Sequence, residues 1–165
     1  MDTLTFLSIK QIAENLDLDQ SKTLVKVLNA RISSIETVKI KEALIEKFQP
    51  YEYLVNYIPL ISRIKTISLM TEGIKIEFDD IPPYLLEIGP DSDLYVYGEY
   101  KRGLTKVVGW HTMKRRDDPV TYDYLLIFAE ILQGDFEIET DDEDWEWPNL
   151  TEKIMDYLEG KELNL

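Results

Sequence analysis

The hydrophobic period of this chain changes near residue 65, and that change limits the folds open to it. Before Pro50, apolar residues recur three and four positions apart; from Thr66 to Phe78 they alternate with polar ones. The first spacing lines one stripe of a helix and the second lines one face of a strand. A run of helices followed by a run of strands points to α+β architecture, not to a parallel sheet wrapped in crossover helices.

Taken in order, Ser8 is placed to cap a first helix carrying Ile9, Ile12, Ala13 and Leu16. Asp17, Leu18 and Asp19 end it, and Asp19 is the expected N-cap of a second helix with Leu24, Val25, Leu28 and Ile32 on one stripe. A third helix is expected from near Thr37 through Ile40, Ala43, Leu44 and Phe48. It must stop before Pro50, whose ring disfavours helical backbone in the residue ahead of it. Residues 51–65 fit either a short helix broken at Pro59 or an extended segment.

Residues 66–70 and Ile74–Phe78 then read as a hairpin, with Gly73 supplying the turn. Leu85, Leu86 and Ile88 lie between Pro82-Pro83 and Gly89-Pro90. Leu94–Tyr100 and Thr105–Met113 make a second hairpin around Lys101-Arg102-Gly103. Residues Tyr122–Leu132 have the apolar density of a buried helix closed by Gln133-Gly134, and Asp135–Thr140 alternates as a last strand. Asn149 with Glu152 forms a capping-box pattern for a final helix that Gly160 ends.

The expected architecture is therefore α+β. A helical N-terminal unit (1–50) is followed by an acidic domain (51–165), the two forming one compact body. That domain is expected to hold a four- to five-stranded antiparallel sheet and two C-terminal helices.

Charge divides the chain differently. Residues 1–116 carry 16 acidic and 16 basic side chains, whereas residues 117–165 carry 16 acidic and 2 basic, which supplies the whole net charge of −14. The extreme is Asp135–Trp147, DFEIETDDEDWEW, where 8 of 13 residues are carboxylates and none is basic. A chain so charged repels nucleic acid and anionic membrane surfaces and attracts basic partners. Acidity alone improves solubility, but that would not require it to be concentrated at one end.

Other classes are disfavoured by what the sequence lacks. Without cysteine there is no disulfide, thiolate metal site or cysteine nucleophile. The start, MDTLTFLSIKQIAEN, has no basic region followed by an apolar core, and apolar runs fall short of a membrane span, so a cytoplasmic protein is expected. His111 is the single histidine; an enzyme would have to build on it with Tyr95 or Tyr97 and a carboxylate, and no nucleophile elbow or zinc motif accompanies it. A calcium loop begun at Asp135 would put Thr140 where the sharp turn requires glycine. No catalytic residue, metal or cofactor is assigned.

Residues 12–29, IAENLDLDQSKTLVKVLN, resemble the helix-turn-helix of bacterial repressors. The resemblance implies DNA binding through residues 11–32, with Lys22, Lys26 and Arg31 toward the backbone. Asp17 departs from it, standing where that family's turn has glycine. In general style the chain resembles bacterial toxin-immunity proteins, a class of diverse folds. That resemblance implies an inhibitor that occludes the active cleft of a basic toxin or nuclease domain. A phage-type DNA mimic directed at a host nuclease would use the same chemistry. The expected partner-binding residues are Asp141, Asp142, Glu143, Asp144, Trp145 and Glu146. There the carboxylates would steer a cationic surface and Trp145 would anchor it.

Overall fold

A computed structural model describes residues 8, 10–12, 14–79, 85–89, 94–100, 103–106, 119–134 and 147–165. The chain divides into two compact units, residues 1–35 and 36–165.

In the first unit, residues 8, 10–12 and 14 are helical, Ser8 included, and Asn15 turns the chain. The Asn15 side-chain amide closes the turn by donating to the Gln11 carbonyl at 2.7 Å. Helix α1 then runs Leu18–Phe48 without interruption. Its start is fixed by Asp17, not Asp19. The Gln20 N–H donates to Asp17 Oδ1 at 2.8 Å, and the Asp17 N–H donates to Gln20 Oε1 at 3.0 Å. This reciprocal capping box satisfies two backbone donors at the helix entrance.

The separate second and third helices expected from the sequence are one helix. The apolar stripe changes face between Ile35 and Thr37, and no glycine or proline breaks the backbone there. The change of face follows from what each part does. Thr37, Ile40, Leu44 and Phe48 are buried in the second unit, whereas no described residue from 8 to 35 is buried.

The second unit continues from α1 through a short 3-10 helix, Leu54–Tyr57, into helix α2, Ile58–Ser62. Pro59 stands in the first turn of α2, where its missing N–H costs nothing, so it helps start this helix where a break was one expectation. Strands β1 (Ile64–Met70) and β2 (Gly73–Phe78) form an antiparallel hairpin with Ile67 opposite Ile76 and Leu69 opposite Ile74. Its turn is Thr71-Glu72; Gly73 is already the first residue of β2, opposite Met70. Strand β3 (Leu85–Ile88) joins β2 antiparallel, with Ile76 opposite Leu86 and Ile74 opposite Ile88. Gly73 is required there, because a Cβ on it would stand 2.2 Å from the Ile88 carbonyl oxygen, at a φ of 153°.

The expected four- to five-stranded sheet is corrected to three antiparallel strands, β1 to β3. These are the strands that bring alternating aliphatic side chains into the core: Ile64 and Ile67, then Ile74, Ile76 and Phe78, then Leu86 and Ile88. Beyond β3, the backbone ladder continues through Leu94–Tyr100 (β4) and Gly103–Lys106 (β5) in the order β1-β2-β3-β4-β5. In that hairpin Gly98 stands opposite Thr105 and Gly103 opposite Tyr100. The expected return strand beyond Lys106 and the strand Asp135–Thr140 lie outside the described residues.

Helices α3 (Pro119–Gln133) and α4 (Leu150–Leu158) are the two C-terminal helices expected. Helix α4 packs on β1 and β2, and α3 lies against α4 and β3. Asn149 caps α4 as its sequence implied, its side chain accepting the Glu152 N–H at 3.0 Å. The core is the layer these helices share with the three strands, and each fully buried Ile, Leu or Phe in it contributes roughly 1.5–3 kcal/mol. The edge of β1 is covered from α1: Thr37 Oγ1 accepts the Ile67 N–H at 3.0 Å, and Lys41 Nζ donates to the Ser62 and Ile64 carbonyls at 2.8 Å each. No described helix is long and apolar enough to cross a membrane.

Candidate functional site

The predicted binding residues Asp141, Asp142, Glu143, Asp144, Trp145 and Glu146 lie outside the described residues, as do His111 and the side chains of Tyr95 and Tyr97. The two ends of the acidic segment are defined in detail, and they lie together.

The first end is the C-terminus of α3. The last carbonyls of a helix have no partner inside it, so another part of the chain must satisfy them. Gly134 turns away with φ 83° and donates its N–H back to the Ile131 carbonyl at 3.3 Å. The Trp147 indole Nε1–H donates to that same carbonyl at 2.8 Å, and the Thr151 hydroxyl donates to the Leu132 carbonyl at 3.0 Å. Gln133 is buried and donates through Nε2 to the Gly89 carbonyl at 3.0 Å, which ties α3 to the end of β3.

The second end is therefore Trp147 itself. It is 6% exposed and packs edge-on against Phe48, with centroids 5.9 Å apart, and against Tyr51 at 5.5 Å. Phe48 in turn meets Phe128 of α3 at 6.3 Å, so this aromatic cluster joins α1, α3 and the start of α4. A Cβ built on Gly134 would stand 3.1 Å from the Asn149 backbone nitrogen and 3.2 Å from the Trp147 carbonyl oxygen. The chain thus leaves the described structure after Gly134 and re-enters it at Trp147 at essentially the same place. Between those points the sequence carries 8 carboxylates in 12 residues.

The electrostatics at this base are distinctive. Lys47 Nζ lies 5.5 Å above the Trp147 ring. Burial, and then repulsion from Lys153, holds its ammonium pKa below the usual lysine value. The 2 basic residues of 117–165 are both engaged: Lys153 Nζ donates to the Asn164 carbonyl at 2.8 Å, and Lys161 pairs with Asp156. The ion pair raises the Lys161 pKa.

By composition alone, Trp147, next to Pro148 in an acidic run, could serve either the core or an interface. The structure places it in the core, where it satisfies a helix end. What the sequence reading missed was the joint capping of α3 by Trp147 and Thr151. A usable signal was there: an indole and a hydroxyl shortly after a helix that ends in glycine, with no polar residue of that helix able to serve its own carbonyls. The stripe read from the sequence in the first half of α1 is exposed at Val25, Leu28 and Ile32. Comparison with protein-family models, curated proteins and solved structures returns no match to this chain.

Proposed function

We propose that this protein is an acidic binding inhibitor of the toxin-immunity kind. It would neutralise a basic partner, such as a toxin or nuclease domain, by laying Asp141–Glu146 across a cationic active cleft. The observation that carries this reading is a concentrated block of carboxylates held at both ends by one well-bonded base, with the cations nearest in sequence committed elsewhere. Fixing both ends of a segment limits the entropy it loses on docking. A block of like charge raises the encounter rate with a cationic surface.

In this reading the carboxylates provide speed and discrimination, and Trp145 supplies the apolar anchor that slows dissociation. A DNA mimic acting on a host nuclease would use the same surface against the same class of cleft, and the identity of the partner separates the two. Paired capture from the cells that make the protein tests the proposal. The baits are the wild type and a variant with Asp141→Asn, Asp142→Asn, Glu143→Gln and Asp144→Asn. A basic protein retained by the wild type, lost with the variant and inhibited by the wild type in its own assay supports the reading. Identical retention by both baits, or salt-sensitive binding of DNA duplex through residues 11–32, overturns it.

A further inference from the structure

Among the described residues, the first unit presents an exposed apolar face. Leu18, Val25, Leu28, Ile32 and Ile35 of α1 are between 43% and 70% exposed. Their spacing is that of a heptad seam, with Leu18, Val25 and Ile32 at a and Ser21, Leu28 and Ile35 at d. The residues of α1 that are buried, all beyond residue 36, fall at other heptad positions. Thr37 and Leu44 fall at f, Ile40 at b and Phe48 at c, so the buried face and the exposed seam do not compete.

We infer that this seam is a self-association surface, on which α1 pairs with α1 of a second copy as a parallel, in-register two-stranded coiled coil. Two features of the residues select that occupant. Val25 and Ile32 are β-branched residues at a and Leu28 is at d, the combination that favours two parallel strands. The flanking charges are also self-complementary. In a parallel pair each g residue faces the e residue five positions on in the other helix. Asp17 at g then meets Lys22 of the second copy, and Arg31 at g meets its Glu36. Leu24, at the remaining g position, widens the apolar strip.

A seam of fewer than three heptads is marginal for isolated peptides, because the helix must be nucleated as well as paired. Here that cost is already met at both ends. The Asp17–Gln20 capping box fixes the entrance, and burial from Thr37 onward fixes the rest of the helix. The self-association does not involve the acidic segment, so this inference and the inhibitor reading can fail separately.

Sedimentation equilibrium of the full chain across a concentration series tests it. The expected result is a reversible monomer–dimer equilibrium that Leu28→Asp abolishes, with the circular dichroism and melting of the second unit retained because Leu28 is exposed. Arg31→Glu alone and Glu36→Arg alone each turn two attractions per dimer into repulsions and raise the dissociation constant about tenfold. Mixing those two variants restores association, because a mixed pair has both contacts complementary again. As the chain has no cysteine, Leu28→Cys and Ile35→Cys under oxidising conditions should each give a cross-linked dimer, since only the parallel register sets both positions opposite themselves. A monomer at every concentration would overturn the inference, whether the seam is covered by the chain's own first residues or by another protein. So would a dimer indifferent to Leu28→Asp and Arg31→Glu, or one in which either position 28 or position 35 fails to cross-link.

Discussion

Trp147 and Trp145 stand two residues apart in one acidic run, and composition gives no reason to treat them differently. What separates them is a need elsewhere in the chain. The Ile131 carbonyl at the end of α3 lacks a partner within its helix, and the Trp147 indole supplies one from inside an aromatic cluster. Trp147→Phe keeps much of the packing and loses that bond, so it should cost about 1–2 kcal/mol. The Ile131 carbonyl then keeps only the longer bond from the Gly134 N–H, so the difference reflects one lost hydrogen bond. Trp147→Ala should cost about 3–5 kcal/mol. Urea unfolding followed by circular dichroism measures both, and loss of binding without loss of stability would place Trp147 at an interface instead.

Glu77 is a second residue whose role depends on partners that sequence spacing does not show. Lys75 Nζ lies 2.7 Å from Glu77 Oε1, and the Thr66 hydroxyl donates to Oε2 at 3.0 Å across the β1–β2 pair. The hydrogen bond to Lys75 holds the carboxyl pKa below its ordinary value, with burial opposing and Thr66 assisting. A depressed carboxyl contributes stability that is present above the ordinary glutamate value of 4.5 and is lost as pH falls through the folded value. The stability difference between wild type and Glu77→Gln should therefore shrink on acidification from neutrality. A difference that is constant with pH would show that the pair contributes nothing in solution.

At the scale of elements, caps and glycines proved legible where the signal is local. Asn149 with Glu152 and Gly134 after α3 do what their sequence context implied. The start of α1 was misread by two residues because Asp17 and Asp19 are both acceptable caps. The Asp17–Gln20 spacing of a capping box was the signal that distinguishes them. The continuity of α1 was not legible from periodicity, because a helix that serves two different surfaces shifts its apolar stripe part-way along. That shift looks the same as a break. The sheet was overcounted for a related reason: alternation marks extended backbone, and the buried aliphatic side chains of the sheet, among the described residues, come from β1 to β3. Gly73 shows how tightly that sheet is drawn together. Gly73→Ala would drive a methyl group into the Ile88 carbonyl and should cost about 3 kcal/mol or more. Thermal melting checks this, and a melting point unchanged from wild type would mean that β3 can move away freely.

Over the whole molecule, charge and structure divide the chain at different places. The structural boundary falls between residues 35 and 36, inside a continuous helix, whereas the charge boundary falls near residue 117. The acidic run itself was legible from charge alone, and Asp141–Glu146 within it lie outside the described residues. Its base was not, because the contacts that close it run between α1, α3 and α4, residues far apart in sequence. The most direct measurement is the association rate of the full chain with its captured basic partner as a function of ionic strength, for the wild type and the Asp141→Asn, Asp142→Asn, Glu143→Gln, Asp144→Asn variant. The account expects a wild-type rate that falls steeply with added salt. It also expects a variant with a slower, flatter profile and the same melting temperature. Superimposable profiles for the two proteins would contradict it.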